Sequence, residues 1–187
     1  IAILTGGDSA EHDISILSAK TVLKNLNIKL YKGYLIHLKD GKFNALIEEK
    51  KIPVDIENFT FTLNQNKICF DAVFIALHGP PAENGMIQPY FDKLKIPYNS
   101  CSSEVSHLTF NKYQCNEKLI QYGFKCAKSF LFKSNEEINV NFIHKKVGTP
   151  CFVKPNASGS SYGISKVSNK KNLYSAIKKG LKYDNKI

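Results

Sequence analysis

The stretch Lys154-Pro155-Asn156-Ala157-Ser158-Gly159-Ser160-Ser161-Tyr162-Gly163 is the strongest indication of how the second half of this chain is built. An apolar run precedes it at 150–153 and a segment with strand character follows at 163–167, so the pattern is strand, small-residue loop, strand. Glycine supplies the positive φ angles of a tight loop, and successive backbone N–H groups in such a loop can surround an anion. Lys154 ends the first strand, where its ammonium group can reach the same anion. The stretch predicts a phosphate site, with a solvated strand end as the alternative interpretation of Lys154.

Positive charge is distributed unevenly along the chain. The 187 residues contain 26 lysines and arginines against 16 acidic residues, which gives a formal net charge of +10. Residues 1–100 hold equal numbers of lysines and acids, so the whole excess lies in 101–187. This excess indicates either a polyphosphate ligand or, by default, a solvated lysine-rich surface. Arginine is absent, which disfavours nucleic-acid binding because the bidentate readers of bases and phosphates are usually arginines.

The cysteines and the hydropathy pattern favour a soluble protein of the reducing cytoplasm. None of the five cysteines forms a C-x-x-C pair, so we expect free thiols and no metal site in this chain. No apolar run approaches the ~18 residues of a membrane helix, and no leader resembles a signal peptide, so we expect no contact with a membrane. The cysteines are Cys69, Cys101, Cys115, Cys126 and Cys151.

Residues 1–101 alternate strands with helices. A helix is predicted from Asp13, with Ile14, Leu17, Val22 and Leu26 on its apolar side. The continuous apolar run at 71–77 is typical of a strand covered on both faces. This alternation predicts an α/β domain with an open, mostly parallel sheet of the Rossmann type. The other predicted elements are strands at 1–4, 31–38, 43–47, 59–63 and 68–70, a hairpin turn at 40–41, and a helix ending near residue 94.

Residues 102–187 are interpreted as an α+β region, with a domain boundary at 101. The spacing of Ser134 and Glu137 predicts a capping box that begins a helix. A last helix at 171–181 is expected to direct Leu173, Ile177 and Leu181 inward. The other predicted elements are one or two helices at 102–122 and strands at 127–132, 150–153 and 163–167.

Two loops in the first half are candidate ligand sites because each follows a predicted strand. Residues 6–11 join the first strand to the first helix, although taken alone they are more often a plain tight turn. His78 is the first residue of the polar loop 78–85, which is a candidate ligand-contacting loop. An equally good interpretation is a structural Pro-Gly loop, in which His78 only caps or packs against its neighbours. His37, His107 and His144 are predicted to be surface or helix residues, and His12 to begin a helix. Lys112 lies near a predicted helix start, as one lysine among many.

Taken in order, these segments resemble the D-alanine–D-alanine ligase family, and the resemblance spans nearly the whole chain. Two positions depart from the family pattern: Ala82 stands where glycine is expected and Asn84 where aspartate is common. The matching motifs are Gly6-Gly7-x-Ser9-x-Glu11-His12-x-Ile14-Ser15, then His78-Gly79 with Glu83-x-Gly85-x-x-Gln88, then Phe110-Asn111-Lys112, then Lys154-Pro155, and then Gly159-Ser160-Ser161-x-Gly163-x-Ser165-Lys166-Val167.

The resemblance implies a Rossmann-like amino-terminal domain followed by the first part of an ATP-grasp domain. It implies an enzyme that uses ATP to convert one D-alanine to an acyl phosphate, which the amine of a second D-alanine attacks. Glu11 then looks like the acid that holds the first ammonium group, in a hydrogen-bonded set with Ser160. Ile14 would line that pocket, and His78 would lie beside the reacting carboxyl group. Lys112 and Lys154 would contact the phosphates beneath the loop 156–163, with Gly159, Ser160 and Ser161 closing around them.

The family's second half should supply the Mg²⁺ (or Mn²⁺) ligands, the adenine contacts and the second D-alanine site. Those residues are not among the 187, so we expect no catalysis by this chain alone. The implied partners are D-alanine and ATP, without nucleic acid or membrane, and a homodimer is one option for assembly. Two alternatives stay open: an ATP-grasp ligase with another acceptor such as D-lactate, and a non-catalytic remnant.

Overall fold

A five-stranded mixed sheet forms the centre of the first unit of the protein. The computed structural model describes residues 1–48 and 50–187, and divides into the units Ile1–His107 and Leu108–Ile187. The strand order in the sheet is β4-β3-β2-β1-β7, and β5 and β6 form a separate hairpin. The strands are β1 (Ala2–Gly6), β2 (Tyr34–Lys39), β3 (Lys42–Ile47), β4 (Lys50–Pro53), β5 (Phe61–Leu63), β6 (Asn66–Ile68) and β7 (Val73–Ile75).

The expectation of a mostly parallel sheet is wrong for its outer strands. β1 pairs in parallel with β2 and β7, but β2–β3 and β3–β4 are antiparallel. The reason is local, because Asp40 and Gly41 both take positive φ angles, 49° and 70°, as a two-residue hairpin turn requires. A chain that turns back within two residues can only continue as an antiparallel neighbour. The hairpin predicted at this turn is therefore confirmed, and it accounts for the mixed sheet.

Each face of the sheet contributes to a different apolar cluster. Ala2 and Leu4 belong to the larger cluster, whereas Ile3 lies in a smaller one with Ala19, as the alternation of side chains along a strand requires. Phe59 is fully buried at the centre of the larger cluster, where its ring meets the rings of Phe43, Phe70, Tyr90 and Phe91.

The first helix, α1 (His12–Asn25), forms where it was predicted but does not bury the expected residues. Ile14 is 44% exposed and Leu17 is 65% exposed, whereas the buried residues are Ser15 and Ala19. Small side chains let a helix lie close to a strand, and α1 packs directly on β1. The predicted apolar side is therefore wrong at Ile14 and Leu17.

The strand expected at 71–77 is shorter than its apolar run. Only Val73–Ile75 pairs in the sheet, at its edge, and Phe74 is exposed rather than covered on both faces. Ala76 and Leu77 continue the run as buried residues outside the strand. The early end of β7 frees the next residues to form the loop that begins at His78.

Two helices follow β7, and the second of them contains the division between the two units. They are α2 (Gln88–Leu94) and α3 (Ser103–Phe110). The predicted domain boundary at 101 stays a prediction. In the described part of the chain, no helix has both the length and the apolar character that crossing a membrane needs.

The second unit packs helices against a two-stranded antiparallel sheet. Leu173 and Ile177 are buried against Val153 and Val167, which confirms the inward face predicted for the last helix. The elements are α4 (Lys112–Gln121), α5 (Val140–Val147), β8 (Cys151–Val153), β9 (Ser165–Val167), a 3₁₀ turn (Lys170–Asn172) and α6 (Leu173–Gly180).

Two element predictions in the second half are wrong. No helix starts at 134–137, because Asn139 caps α5 by accepting a hydrogen bond from the Phe142 N–H at 3.0 Å. Residues 127–132 form no strand, although Phe132 exchanges two backbone hydrogen bonds of 2.8 Å with Ile187. This pairing uses the last residue of the chain, a long-range contact that no local pattern indicates.

Candidate functional site

The turn after β1 and the loop after β7 meet at the carboxyl ends of two adjacent parallel strands. The Ser15 hydroxyl accepts a hydrogen bond from the His78 backbone N–H at 2.9 Å and donates one to the Glu11 carbonyl at 3.0 Å. The hydroxyl of Ser18 lies 2.9 Å from Nε2 of His78. Helix α1 therefore holds the loop that carries His78, and it brings two predicted site residues together.

Gly79 lets the backbone of this loop approach the carboxylate of Glu11. A Cβ atom at Gly79 would lie 2.7 Å from Oε2 of Glu11 and 2.8 Å from Oγ of Ser9, and its φ is +72°. Only glycine fits both the space and the left-handed backbone. Glu11 itself is 5% exposed at the start of α1, where the helix dipole favours a negative charge.

Ile14 lies one turn after Glu11 at the start of α1, and its apolar side chain is 44% exposed. Glu11, Ile14 and His78 are thus gathered at one edge of the first unit. Their roles toward D-alanine stay predictions, as does the hydrogen-bonded set of Glu11 with Ser160, a residue of the second unit.

Gln88 fixes the far end of the loop. It is fully buried, and its amide Nε2 donates to the Ala82 carbonyl at 2.7 Å and to the Ser100 hydroxyl at 3.0 Å. Gln88, Ser15 and Ser18 received no role from the sequence. The helical pattern gave no signal for Ser15, because it placed Ile14 and Leu17 inside instead.

The prediction that His37 is a surface or helix residue is wrong. His37 lies on β2 and is 7% exposed, with its Nε2 atom 3.0 Å from Nε2 of His12. Burial, and then the positive charges of Lys51 and Lys39 together with His12, lower the pKa of His37. His12 does begin α1 as predicted, but it also contacts His37. The signal that could have indicated the burial of His37 was its position inside the predicted strand 31–38.

In the second unit, Lys112 is tied to the small-residue loop. Its ammonium group donates to the Ser158 carbonyl at 2.6 Å, and its backbone N–H donates to the Asn156 carbonyl at 3.1 Å. The buried side chain of Asn156 accepts from the Tyr113 N–H and donates to Oδ1 of Asn111, both at 2.9 Å. The first turn of α4 and the loop are therefore one hydrogen-bonded assembly.

The loop itself turns sharply through left-handed conformations. Ser160, Ser161 and Gly163 have φ angles of 44°, 60° and 73°. The hydroxyl-bearing residues Ser160 and Ser161 are exposed, as is Lys154, whose ammonium group lies 5.5 Å from the centre of the Phe152 ring. Gly159 accepts a weak backbone bond of 3.3 Å from Tyr162 within the same turn.

A cavity of about 550 Å³ lies beside this assembly, within the second unit. Lys112, Lys154 and Asn156 contribute polar atoms to its lining, while Phe130, Phe132 and Val153 make the rest of it apolar. Volumes of roughly 300–1,000 Å³ suit small-molecule ligands, and this lining suits one with an apolar ring and an anionic end. Cys151 also lines the cavity, and burial raises the pKa of its thiol.

Residues 1–48 and 50–187 contain no cluster of three or more His, Cys, Asp or Glu side chains that could hold a metal ion.

Comparison with known proteins agrees with this arrangement. Residues 1–101 match the family model described as D-ala D-ala ligase N-terminus, and residues 119–187 match D-ala D-ala ligase C-terminus. A D-alanine–D-alanine ligase of Flavobacterium johnsoniae is 44% identical over 188 residues, which cover 100% of this chain and 58% of that protein. The chain thus spans little more than half the length of the curated relatives it matches.

Solved structures show the same fold. D-alanyl-alanine synthetase A of Vibrio cholerae matches with a TM-score of 0.83 at 24% identity, over 99% of this chain and 56% of that one. The VanG D-Ala:D-Ser ligase of Enterococcus faecalis matches with a TM-score of 0.81 at 28% identity, over 99% and 60%. The predicted fold, a Rossmann-like domain followed by the first part of an ATP-grasp domain, is confirmed. Two family models that match successive parts of one sequence, with relatives that cover all of it, show that the chain belongs to the D-alanine–D-alanine ligase family.

Proposed function

We propose that the whole protein joins two D-alanine molecules with ATP, for the synthesis of peptidoglycan precursors in the cytoplasm. The γ-phosphoryl group of ATP passes to the carboxylate of the first D-alanine, which gives an acyl phosphate and ADP. The amine of the second D-alanine then attacks the acyl carbon, and inorganic phosphate leaves. The observation that carries this proposal is the contact network that gathers Glu11 and His78 at one edge of the sheet.

In this proposal, residues 1–101 form the domain that holds the first D-alanine. The carboxylate of Glu11 pairs with its ammonium group, and Ile14 contacts its methyl group. His78 lies beside the carboxyl group that accepts the phosphate. Glu11 and His78 are held by the same serine, so the two ends of a small amino acid would meet a rigid pair of partners.

Residues 102–187 would form the small subdomain that holds the nucleotide. Lys112 and Lys154 would neutralise the phosphates, while the loop of Gly159, Ser160 and Ser161 donates hydrogen bonds to them. Positioned cations and donors are what a phosphoryl transfer needs, because charge on the oxygens dominates its transition state. Mg²⁺ or Mn²⁺ would add further positive charge at the phosphates, and we propose that its ligands lie outside this chain.

A second candidate differs only in the acceptor. The VanG neighbour, 28% identical, is a D-Ala:D-Ser ligase by its name, so acceptors other than D-alanine deserve a direct comparison. D-Serine and D-lactate are therefore included as acceptors in the test.

The test is phosphate release by the native polypeptide, whose length is first established by intact mass in its source cells. We expect ATP-dependent release that requires D-alanine, with D-alanyl-D-alanine as the product. Glu11→Gln should raise the KM for D-alanine, and Lys154→Met should raise the KM for ATP, each at least tenfold. The matched controls Glu57→Gln and Lys125→Met, both exposed, should behave as the wild type. Failure to release phosphate with any of the three acceptors would contradict the proposal and leave the non-catalytic alternative.

A further inference from the structure

Helix α1 presents two hydroxyl groups, three residues apart, to the loop that carries His78. Residues spaced by three on a helix share one face, so Ser15 and Ser18 meet the same loop. Ser15 is completely buried, although serine is more often exposed. The burial of Ser15 is explained by the two hydrogen bonds that its hydroxyl group makes.

The Ser15 hydroxyl joins the backbones of Glu11 and His78. A hydroxyl group has one proton to donate and lone pairs to accept with. Ser15 donates its proton to the Glu11 carbonyl at 3.0 Å and accepts the His78 N–H at 2.9 Å. His78 is thereby fixed to a hydroxyl group that lies 63 positions earlier in the sequence. An alanine at position 15 would leave the partly buried N–H of His78 without this acceptor.

The Ser18 hydroxyl holds the ring of His78. The 2.9 Å contact to Nε2 restricts rotation of the imidazole and engages one of its two nitrogens. The two serines therefore act on the same residue in different ways, Ser15 through its backbone and Ser18 through its ring.

We propose that Ser15 and Ser18 are positioning residues, which set the distance of Glu11 from His78 and the orientation of the His78 ring. The proposal rests on the proposed function for its consequence in catalysis, but its structural content is independent of any activity. A ring held by a hydroxyl from the helix stays in place when substrate arrives, which removes the entropic cost of orienting it during the reaction.

The direct test observes His78 by NMR in the whole protein labelled with ¹⁵N-histidine, with His78→Gln to assign its signals. Ser18→Ala should shift the ¹⁵Nε2 resonance of His78, and Ser18→Thr, which keeps the hydroxyl, should restore it. Thr21→Val is the matched control, because the hydroxyl of Thr21 bonds the Leu17 carbonyl on the same helix at 2.9 Å. Ser15→Ala should accelerate hydrogen exchange of the His78 amide. Unchanged His78 signals in both alanine variants would overturn the proposal.

The kinetic test separates positioning from folding. Ser18→Ala should lower kcat/KM for D-alanine about tenfold, the equivalent of about 1.4 kcal/mol, leave the KM for ATP unchanged, and recover in Ser18→Thr. A general loss of fold would instead move both constants and the melting temperature. If the wild type releases no phosphate, the proposed function fails while the NMR result still decides the roles of the two serines.

Discussion

Gly79 is the residue at which a single methyl group would alter the candidate substrate site. Gly79→Ala places a Cβ atom 2.7 Å from the Glu11 carboxylate, which must move away. We expect the KM for D-alanine to rise at least tenfold, because the acid would no longer face the ammonium group. Gly41→Ala is the matched control, since Gly41 has a similar φ of +70° and no atom within 4 Å of the added Cβ. Both variants should lose about 1 kcal/mol of stability from the left-handed backbone, but only Gly79→Ala should lose affinity for D-alanine. Equal KM values in the two variants would contradict the proposed role of Glu11.

Cys151 reports on the cavity of the second unit. The thiolate is the form that alkylating agents attack, and burial raises the pKa of this thiol. At neutral pH we expect iodoacetamide to modify Cys151 more slowly than the exposed Cys69 and Cys101. ATP should slow the reaction at Cys151 further and leave Cys69 unchanged, because Cys151 lines the cavity together with Lys112 and Lys154. Peptide mass spectrometry over time measures each rate, and modification of Cys151 as fast as Cys69 would show that the thiol is open to solvent.

Between elements, Asn156 is the connection that can be tested most sharply. Its buried amide donates to Asn111 and accepts from the Tyr113 N–H, so it joins the loop 156–163 to the start of α4. Asn156→Asp keeps the shape but replaces the donor with an oxygen that faces Oδ1 of Asn111. We expect a loss of about 1–3 kcal/mol in the free energy of unfolding, measured in urea, and weaker ATP binding by calorimetry. Asn169→Asp is the control, because Asn169 only accepts a hydrogen bond from the Lys171 N–H, which aspartate does equally well. Similar stabilities for the two variants would mean that α4 and the loop are held by other contacts.

The elements themselves were predicted where the signal is local. The presence of helix α1, the turn at Asp40 and Gly41, and the inward face of α6 all depend on residues close in sequence, and these three predictions are confirmed. The failures share a different cause. The burial of Ser15 in place of Ile14 and Leu17 depends on how closely α1 lies on β1, and the pairing of Phe132 depends on Ile187. Such contacts form between distant parts of the chain, where periodicity carries no information.

For the molecule as a whole, the sequence indicated candidate site residues but not the contacts that hold them. Motif order pointed to Glu11, His78, Lys112 and Lys154, whose roles in the reaction stay predictions. Ser15, Ser18 and Asn156 do no chemistry, and their importance follows only from the hydrogen bonds that join separate segments. A sequence shows directly which residues have reactive side chains. The residues that hold those side chains in place are identified only from the hydrogen-bond distances in the structure.

The stability of the whole molecule should depend on pH through His37. Its pKa in the folded protein lies below the usual value of about 6.5, because it is buried and because Lys51, His12 and Lys39 disfavour a further positive charge, while Asp8 opposes them only in part. Below pH 6.5 the unfolded chain therefore binds a proton at this residue that the folded protein does not. The free energy of unfolding should then fall as the pH is lowered from 6.5 to the folded pKa, and should be insensitive to this group above 6.5. Urea unfolding at intervals from pH 7.5 to 5.5 measures this slope. His37→Gln should flatten it, whereas His107→Gln, a change at an exposed histidine of α3, should leave it as in the wild type. A slope that persists in His37→Gln would assign the pH dependence to other groups.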